Sequence, residues 1–278
     1  MDVEQALADL YEHHFQGVYD FVLRTVRDSD AAADVVQNTF VKAWETLRKG
    51  TVPDNVKAWL FTVARNAAID DIRRRSHTVQ PHGAGAEPDE AIYLEVDSDR
   101  LSNPEAALED REMVELVWQA ARGLNPKDYS LLDLHLRQGL SPDELAERLG
   151  ARRGSVYMML SRLKEALEDA VTCLLLVRRG RSDCAGLEAI LVDLQISDLT
   201  KQARRAIRKH IDGCERCRER SRHFVAPAEI FSSFALVPVT PELRARIWDG
   251  IVQQLPPATS GGAAPDRGSP SAMTRGIR

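Results

Sequence analysis

The sequence lacks the features of a disulfide-rich protein and those of a membrane-spanning one. It contains only 4 cysteines among 278 residues, which is too few for a disulfide framework. The longest near-continuous apolar run, residues 170–177, is much shorter than the roughly 20 residues that cross a bilayer. The N-terminus also lacks the apolar core of a signal peptide. We therefore expect a cytoplasmic protein without a membrane segment.

The chain also lacks a general excess of positive charge for binding phosphates, since its formal net charge is −5. The charge is unevenly distributed, however. Residues 177–278 carry 17 basic and 11 acidic side chains, whereas residues 76–103 carry 1 and 6. Prolines and glycines interrupt this acidic stretch, so we predict an acidic flexible linker over residues 77–103. Residues 256–278 are rich in Pro, Gly, Ser and Ala and are predicted to form a disordered tail.

The rest of the chain has apolar residues at helical spacing. They indicate one helix over residues 3–22, a second over 36–47 after a break at Asp28, and a third over 56–69. Asp54 or Asn55 can cap the third helix. These three helices are expected to form a small bundle. Beyond the linker, helices are predicted to start near residues 104, 125 and 141, and over about 154–169. No segment shows sustained alternation of apolar and polar residues, so the predicted fold class is all-α.

The two helices after Ser141 have the pattern of a helix-turn-helix. Ser141 and Glu144 form a capping box at the start of the first helix, and Gly150 permits the left-handed backbone of a short turn. The second helix has apolar residues spaced by four, three and four: Val156, Leu160, Leu163 and Leu167. Its polar surface supplies the candidate DNA contacts, which are Arg152, Arg153, Ser155, Tyr157, Arg162 and Lys164. A plain helical hairpin with a solvated polar face is the alternative.

Several motifs in the first 170 residues resemble those of extracytoplasmic-function (ECF) bacterial sigma factors. The N-terminal domain of that family is resembled by DVVQNTFVKAW (34–44), KAWLFTVARN (57–66) and DDIRRR (70–75). Its C-terminal domain is resembled by LSPDELAERLG (140–150), GSV (154–156) and LSR (160–162). The order of the motifs and the acidic linker between them also fit the family. The resemblance implies a non-enzymatic protein that directs RNA polymerase to promoters.

The resemblance also implies roles for particular residues. The helix over 34–44 is expected to dock on the clamp-helix coiled coil of core RNA polymerase through Asp34, Gln37, Asn38 and Lys42. The loop 50–55 and the helix 65–75 are expected to engage and open the minus-ten element of promoter DNA. The DNA contacts implied there are Arg65, Asn66, Arg73, Arg74 and Arg75. Guanidinium groups bind phosphates and an amide reads base edges, although the arginines alone also fit a solvated helix end.

Two further features bear on DNA and polymerase binding. Tyr157, Met158 and Met159 stand where family members commonly have Lys-Ser-Arg. This departure removes basic groups from the surface that should read the minus-thirty-five element.

In the family the linker passes through the polymerase toward the active-site cleft, where acidic residues can imitate nucleic acid. A solvated spacer is the alternative for this linker.

A set of four residues beyond the sigma-like motifs has the spacing of a zinc site. His210 and Cys214 lie one helical turn apart, Cys217 follows in a Cys-x-x-Cys turn, and Cys184 precedes them. Such ligands suit tetrahedral zinc, and their spacing resembles that of zinc-binding anti-sigma domains. Chance cysteines in a helical extension are the alternative. Cys173 lies in an apolar stretch and is expected to be buried rather than to bind metal. The spacing leaves open whether the zinc is structural or redox-labile.

The chain is therefore divided into six parts. They are a sigma region 2-like domain (1–76), the acidic linker (77–103), a sigma region 4-like helix-turn-helix domain (104–172), a zinc-binding anti-sigma-like module (178–224), an amphipathic helical extension (225–255) and the tail (256–278). The extension is expected to dock on the sigma-like domains or on another partner. The anti-sigma resemblance favours inhibition by the fused module.

Two functions compete at this point. The favoured function is a sigma factor that binds core RNA polymerase and is modulated by its C-terminal module. The alternative is a metal- or redox-sensing DNA-binding transcriptional regulator that does not act as a sigma factor. An enzyme is disfavoured, because no phosphate-binding loop, Ser/His/Asp arrangement or open metal triad rises above chance.

Overall fold

The computed structural model describes residues 3–51, 53–78, 104–179, 184–193, 201–221 and 227–256. Nearly all of the predicted linker and of the predicted tail lies outside these residues. The helices within the described ranges agree with the predicted all-α fold. They are α1 (Val3–Val26), α2 (Ser29–Arg48), α3 (Val56–Thr78), α4 (Pro104–Arg122), α5 (Pro126–Leu136), α6 (Pro142–Leu149), α7 (Arg153–Arg179), α8 (Ala185–Asp193), α9 (Lys201–Gly213), α10 (Glu215–Ser221), α11 (Pro227–Ser232) and α12 (Pro241–Gln254).

Helices α1, α2 and α3 pack against one another as a bundle. Each break between them has a polar cap. The Asp28 carboxylate accepts the backbone N–H of Ala31 at 2.9 Å, and the Asn55 side chain accepts that of Ala58 at 2.9 Å. These caps satisfy N–H groups that have no partner within the helix. The apolar faces of the three helices then meet in a core that buries Phe40.

Helices α6 and α7 form the predicted helix-turn-helix. The Ser141 hydroxyl accepts the N–H of Glu144 at 3.2 Å, and the Glu144 carboxylate accepts the N–H of Ser141 at 2.7 Å. The capping box is therefore confirmed. Gly150 ends α6 with a φ of 61°, a left-handed conformation that glycine adopts without a steric cost.

Helix α7 is longer than predicted. It runs Arg153–Arg179, about ten residues beyond the expected end near residue 169. No proline or glycine follows Gly154 within it, and its apolar stretch is buried by packing. The expected boundary between residues 172 and 178 thus falls inside one continuous helix. This helix carries both the recognition segment and part of the next core.

A small second core surrounds the C-terminal end of α7. It joins α7 to helices α8, α9 and α10 and is separate from the main core. Its buried members are Cys173, Leu176, Leu187, Leu191, Ile207, Ile211 and Cys217. Because its buried side chains form a cluster separate from the main core, we expect this module to unfold locally without loss of the main core.

The C-terminal extension packs into the main core rather than into this second one. Its buried residues Phe231, Phe234, Val237, Ile247 and Ile251 belong to the same cluster as the apolar residues of α1–α7. Helix α11 packs on α4, α5 and α7, and α12 packs on α2. The extension was expected to dock on the sigma-like domains or on another partner, and in this structure it packs on the helices of the sigma-like domains. Among the described helices, none combines the length and the apolarity needed to cross a membrane.

Candidate functional site

The predicted polymerase-binding residues share a stripe on α2. Asp34, Asn38 and Lys42 are exposed and are spaced by four residues, so they lie on one face of the helix. Gln37 is half-buried at the edge of this face. A Cβ atom placed on Gly250 of α12 would meet the Gln37 Nε2 atom at 2.7 Å. One edge of the stripe is therefore already in contact with the C-terminal extension.

The predicted DNA-binding arginines near the end of α3 are paired with carboxylates. Arg73 pairs with Asp70 at 3.2 Å. Arg74 lies 3.2 Å from Asp71. The third arginine, at position 75, lies 3.2 Å from Asp28 and 2.7 Å from Asp71. Pairs of exposed side chains such as Arg73 and Asp70 hold each other weakly, so phosphates can replace the carboxylates.

The other two predicted DNA contacts of α3 have different environments. Asn66 is exposed, as expected for an amide that reads base edges. Arg65 is half-buried and donates from Nη2 to the carbonyl of Lys127 on α5 at 3.4 Å. Burial lowers the pKa of Arg65, and the neighbouring Arg73 lowers it further. Arg65 thus faces the second helical unit instead of open solvent.

The loop expected to engage the minus-ten element is joined to the helix-turn-helix. Asn55 donates from Nδ2 to Glu144 Oε1 at 2.6 Å. Lys57 donates to the carbonyl of Gln138 at 2.8 Å. Hydrogen bonds from the backbone and hydroxyl of Ser141 lower the pKa of Glu144, so it accepts these contacts as a carboxylate. The loop predicted to engage the minus-ten element is therefore in direct contact with α6, the first helix of the helix-turn-helix.

The recognition helix presents its predicted DNA contacts to solvent. Arg152, Arg153, Ser155, Tyr157 and Arg162 are exposed, and Lys164 is half-buried. Arg153 has a carboxylate partner, Asp143, at 3.2 Å. The side chains of Tyr157, Met158 and Met159 are 53%, 56% and 45% exposed. Apolar groups at such positions can contact thymine methyl groups but not phosphates.

The four predicted metal ligands converge at one point. The ligand atoms of Cys184, His210, Cys214 and Cys217 all lie within 4.8 Å of one another. Cys184 Sγ is 3.3 Å from His210 Nε2 and 3.9 Å from Cys214 Sγ, and His210 Nε2 is 3.3 Å from Cys217 Sγ. In a zinc tetrahedron, two sulfurs lie about 3.8 Å apart and a sulfur and a nitrogen about 3.6 Å apart. The donor set and its spacing therefore fit zinc.

Local structure keeps the ligand atoms close together. A Cβ on Gly186 would lie 3.0 Å from His210 Cε1, so glycine lets α8 approach the imidazole. A hydrogen bond from the backbone N–H of Cys217 lowers the pKa of the Cys214 thiol, and the thiolate is the form that binds metal. Cys173 is fully buried outside this group, and burial raises its pKa to about 12. The expected burial of Cys173 is confirmed.

Sequence reasoning missed a buried ion network between the two helical units. Asp20 and Arg24 of α1, together with Asp133 and Arg137 near α5, have side chains that are at most 3% exposed. Asp20 accepts Arg24 Nε at 2.8 Å and Arg137 Nη1 at 2.7 Å. Arg137 Nη1 also donates to Asp133 at 2.8 Å, and these carboxylates raise the pKa of Arg137 although burial lowers it.

The backbone of the C-terminal extension completes this network. Arg24 donates to the carbonyl of Ala235 at 2.8 Å, and Arg137 donates to that of Phe234 at 3.1 Å. In return, the N–H of Val237 donates to Asp20 at 2.9 Å. The only sequence signal for the network was an Asp and an Arg four residues apart in each helix, which is common on solvated helix surfaces.

Comparison with known families supports the resemblance seen in the motifs. Residues 10–78 match the family model described as sigma-70 region 2. This match covers α1 from residue 10, α2 and α3. It includes the stripe on α2 and the basic end of α3.

Known relatives align over a longer part of the chain. The ECF RNA polymerase sigma factor SigL of Mycobacterium tuberculosis is 29% identical over 163 residues, covering 57% of this chain and 84% of that protein. The RNA polymerase sigma factor YlaC of Bacillus subtilis is 27% identical over 172 residues, covering 62% and 95%. A similar fold occurs in a solved structure of the sigma factor RpoE in complex with the anti-sigma factor NepR, from Bartonella quintana. The similarity covers 60% of this chain and 95% of that chain, at 22% sequence identity and a TM-score of 0.44.

Proposed function

We propose that this chain is an extracytoplasmic-function sigma factor that binds core RNA polymerase and directs it to promoter DNA in the cytoplasm. The observation that carries the proposal is the match of residues 10–78 to sigma-70 region 2. The similarity to whole sigma factors over 57% to 62% of the chain supports it. The role is that of a specificity subunit, and the polymerase supplies the catalysis.

The two helical units bind different partners in the proposed function. In the region 2-like domain, 1–76, the stripe of Asp34, Gln37, Asn38 and Lys42 binds polymerase, and the far end of α3 binds the minus-ten element. In the region 4-like domain, 104–172, the exposed side of the recognition segment in α7 binds the minus-thirty-five element. Its arginines neutralise phosphates, which fixes the domain on the duplex.

The proposal assigns a zinc ion to the module at 178–224. Cys184, His210, Cys214 and Cys217 would hold it as four ligands, which is the arrangement of closed, structural zinc sites. The ion would join α8 to α9 and α10 and so stabilise a core of few side chains. Modulation of the sigma domains by this module and the attached extension completes the proposed function.

The metal-sensing regulator that acts without polymerase is not favoured. A helix-turn-helix alone would be sufficient for such a protein. The chain also carries a bundle that matches sigma-70 region 2 over residues 10–78, and the relatives described above are sigma factors.

Run-off transcription with purified core polymerase and genomic promoter fragments tests the proposed function. We expect specific transcripts that depend on the added chain, and tight binding to polymerase but weak binding to promoter DNA alone. Operator-like binding to DNA without polymerase, together with no stimulation of transcription, would contradict the proposal.

A further inference from the structure

The C-terminal strap, defined as residues 234–255, lies along the bundle that carries the polymerase-binding stripe. Ile247 and Ile251 of the strap are buried. The ring of Trp248 lies 4.8 Å from the ring of Tyr11 on α1, and the Tyr11 hydroxyl donates to the carbonyl of Arg244 at 2.7 Å. The strap thus fills an apolar groove of α1 and α2 with an amphipathic helix, which is a common mode of peptide recognition.

The position of the strap bears directly on polymerase binding. Gly250 of α12 contacts Gln37, one of the four residues of the stripe. A stable protein interface covers about 800 Å² on each partner, which is far more than one row of helical side chains. A polymerase surface centred on Asn38 would therefore collide with α12. Polymerase and the strap compete for the same side of the bundle.

The strap also holds the two sigma-like domains together. Its backbone at residues 234–237 contacts Asp20 and Arg24 on α1 and Arg137 beyond α5. The network contains one Asp–Arg pair on each domain, Asp20 with Arg24 and Asp133 with Arg137. The contact between Arg137 and Asp20 at 2.7 Å joins the two pairs. A buried charge without its partner is costly. Separation of the domains breaks the contact between Arg137 and Asp20. Departure of the strap removes the carbonyls that accept from Arg24 and Arg137 and the N–H that donates to Asp20, so the two events weaken the same network and are coupled.

The closed arrangement is incompatible with reading two promoter elements at once. Elements at minus ten and minus thirty-five are separated by roughly 25 base pairs, or about 85 Å of duplex at 3.4 Å per pair. In this structure Asn55 of the first domain lies 2.6 Å from Glu144 of the second. The domains must move apart before both elements can be bound.

We infer that the strap is an autoinhibitory segment that holds the sigma domains in a closed state and competes in cis with core RNA polymerase for the α1–α2 side of the bundle. The inference rests on the proposed sigma function and names its regulation. The inhibitory contact is made by the strap, while the zinc module is anchored separately on α7. Polymerase binds the open fraction only, so its apparent affinity is reduced by that fraction.

The test compares full-length chains in binding to purified core RNA polymerase. The variant Ile247→Asp with Ile251→Asp places two carboxylates at buried positions of α12 and should displace it. The control is Val252→Asp, which adds the same group to the same helix at a side chain that is 48% exposed. We expect the apparent Kd to fall at least tenfold for the double variant and to change less than twofold for the control.

A milder variant covers the case in which the double variant does not fold. Arg244 of the strap pairs with the exposed Glu12 at 2.6 Å, and Arg244→Glu replaces this attraction by repulsion. We expect polymerase binding to tighten by up to about fivefold, as for loss of one exposed ion pair. Combining it with Glu12→Arg restores the pair and should reverse the effect.

The outcomes separate the inference from the function on which it rests. If the wild-type chain binds polymerase and the folded double variant or Arg244→Glu binds it no more tightly, the autoinhibitory role is wrong while the sigma function stands. If no form binds polymerase, the proposed function fails and the inference fails with it. Tighter binding by the variants, with the control unchanged, supports both.

Discussion

Individual charged side chains in this protein differ chiefly in how far they are removed from water. The ion pair of Arg73 and Asp70 is more than half exposed on both sides, and such pairs are worth little. Asp20 and Arg137 are at most 3% exposed, where an unpaired charge is strongly unfavourable. The exposed arginines are thus available to exchange partners with phosphates, whereas the buried ones act as a structural unit.

The buried network gives a prediction for a residue that touches neither α2 nor α12. Replacing Arg137 with Gln leaves Asp20 and Asp133 with one guanidinium between them in the closed state, a loss of about 3–5 kcal/mol for a buried pair. The carboxylates are hydrated when the domains separate, so the closed state is destabilised selectively. We expect tighter polymerase binding in a titration of the full chain. A purely structural role of Arg137 predicts weaker binding or none.

The metal ligands give a second prediction at this scale. Cys214→Ser should lose zinc and loosen residues 184–221, because metal binding is coupled to local folding. The main core should remain intact, since its apolar residues belong to a different cluster. Metal analysis and hydrogen exchange by module would measure both effects. The matched control is Cys173→Ser, which should retain the metal; full zinc in the Cys214 variant would contradict the assigned ligand set.

The basic end of α3 gives a third prediction, which concerns DNA binding. Replacing Arg73 and Arg74 with Ala should reduce promoter opening by the holoenzyme. Each lost phosphate contact should also lower the slope of log affinity against log salt by about one unit. The measurement is promoter binding over a salt series, with Arg205→Ala as a control for an exposed arginine elsewhere. An unchanged slope would mean that the two arginines are only solvated side chains at the end of the helix and do not contact phosphates.

At the scale of elements, α2 and α7 each serve two packing partners. The buried side of α2 contacts α1 and α3, and its edge contacts α12. Helix α7 begins as the recognition helix and ends in the core of the zinc module. A single long helix is stiff compared with a loop. A conformational change in the zinc module can therefore shift the helix-turn-helix directly through α7.

The stripe on α2 can be tested by reversing charges without altering the net charge. Asp34→Lys with Lys42→Glu should weaken polymerase binding, because both side chains are exposed and do not contribute to the core. Asp9→Lys with Arg205→Glu also leaves the net charge unchanged and is the control at exposed positions outside α2. Co-purification with core polymerase measures the effect. Undiminished binding by the folded double variant would remove the stripe from the interface.

At the scale of the whole molecule, the two sigma-like domains and the strap share one core. The apolar residues of α1–α7 are continuous with those of α11 and α12, whereas the zinc module has its own small core. Opening the molecule therefore exposes apolar surface, which costs free energy that polymerase and promoter contacts must offset. The closed state is the expected resting state of the free chain.

Opening can be followed directly. Fluorescent probes at exposed positions on α2 and α7, such as Glu45 and Glu168, should move apart by tens of ångströms when polymerase and promoter are added. The scale follows from the roughly 85 Å between the two elements. The Ile247→Asp with Ile251→Asp variant should show part of this change without polymerase. An unchanged probe separation in the promoter complex would contradict the closed-to-open transition.

Features that depend on neighbouring residues could be predicted from the amino-acid sequence. Caps at Asp28, Asn55 and Ser141, the turn at Gly150 and the apolar stripes follow from interactions across a few positions. The cluster of three cysteines and a histidine was also predictable, because three of its members lie within eight residues of one another. The end of α7 was predicted too early, because a continuous apolar run does not show where a helix stops.

How these elements pack against one another depends on contacts between distant parts of the chain. Asp20 accepts a hydrogen bond from the backbone N–H of Val237, which lies 217 residues away in the chain. The Tyr11 hydroxyl donates to the carbonyl of Arg244, which lies 233 residues away. Such contacts leave no local pattern, because an Asp and an Arg one turn apart suit a solvated helix as well as a buried network. The sequence thus determined what each element is, and the packing of distant segments decided which faces are covered. Burial of surfaces far apart in the chain depends on the whole fold.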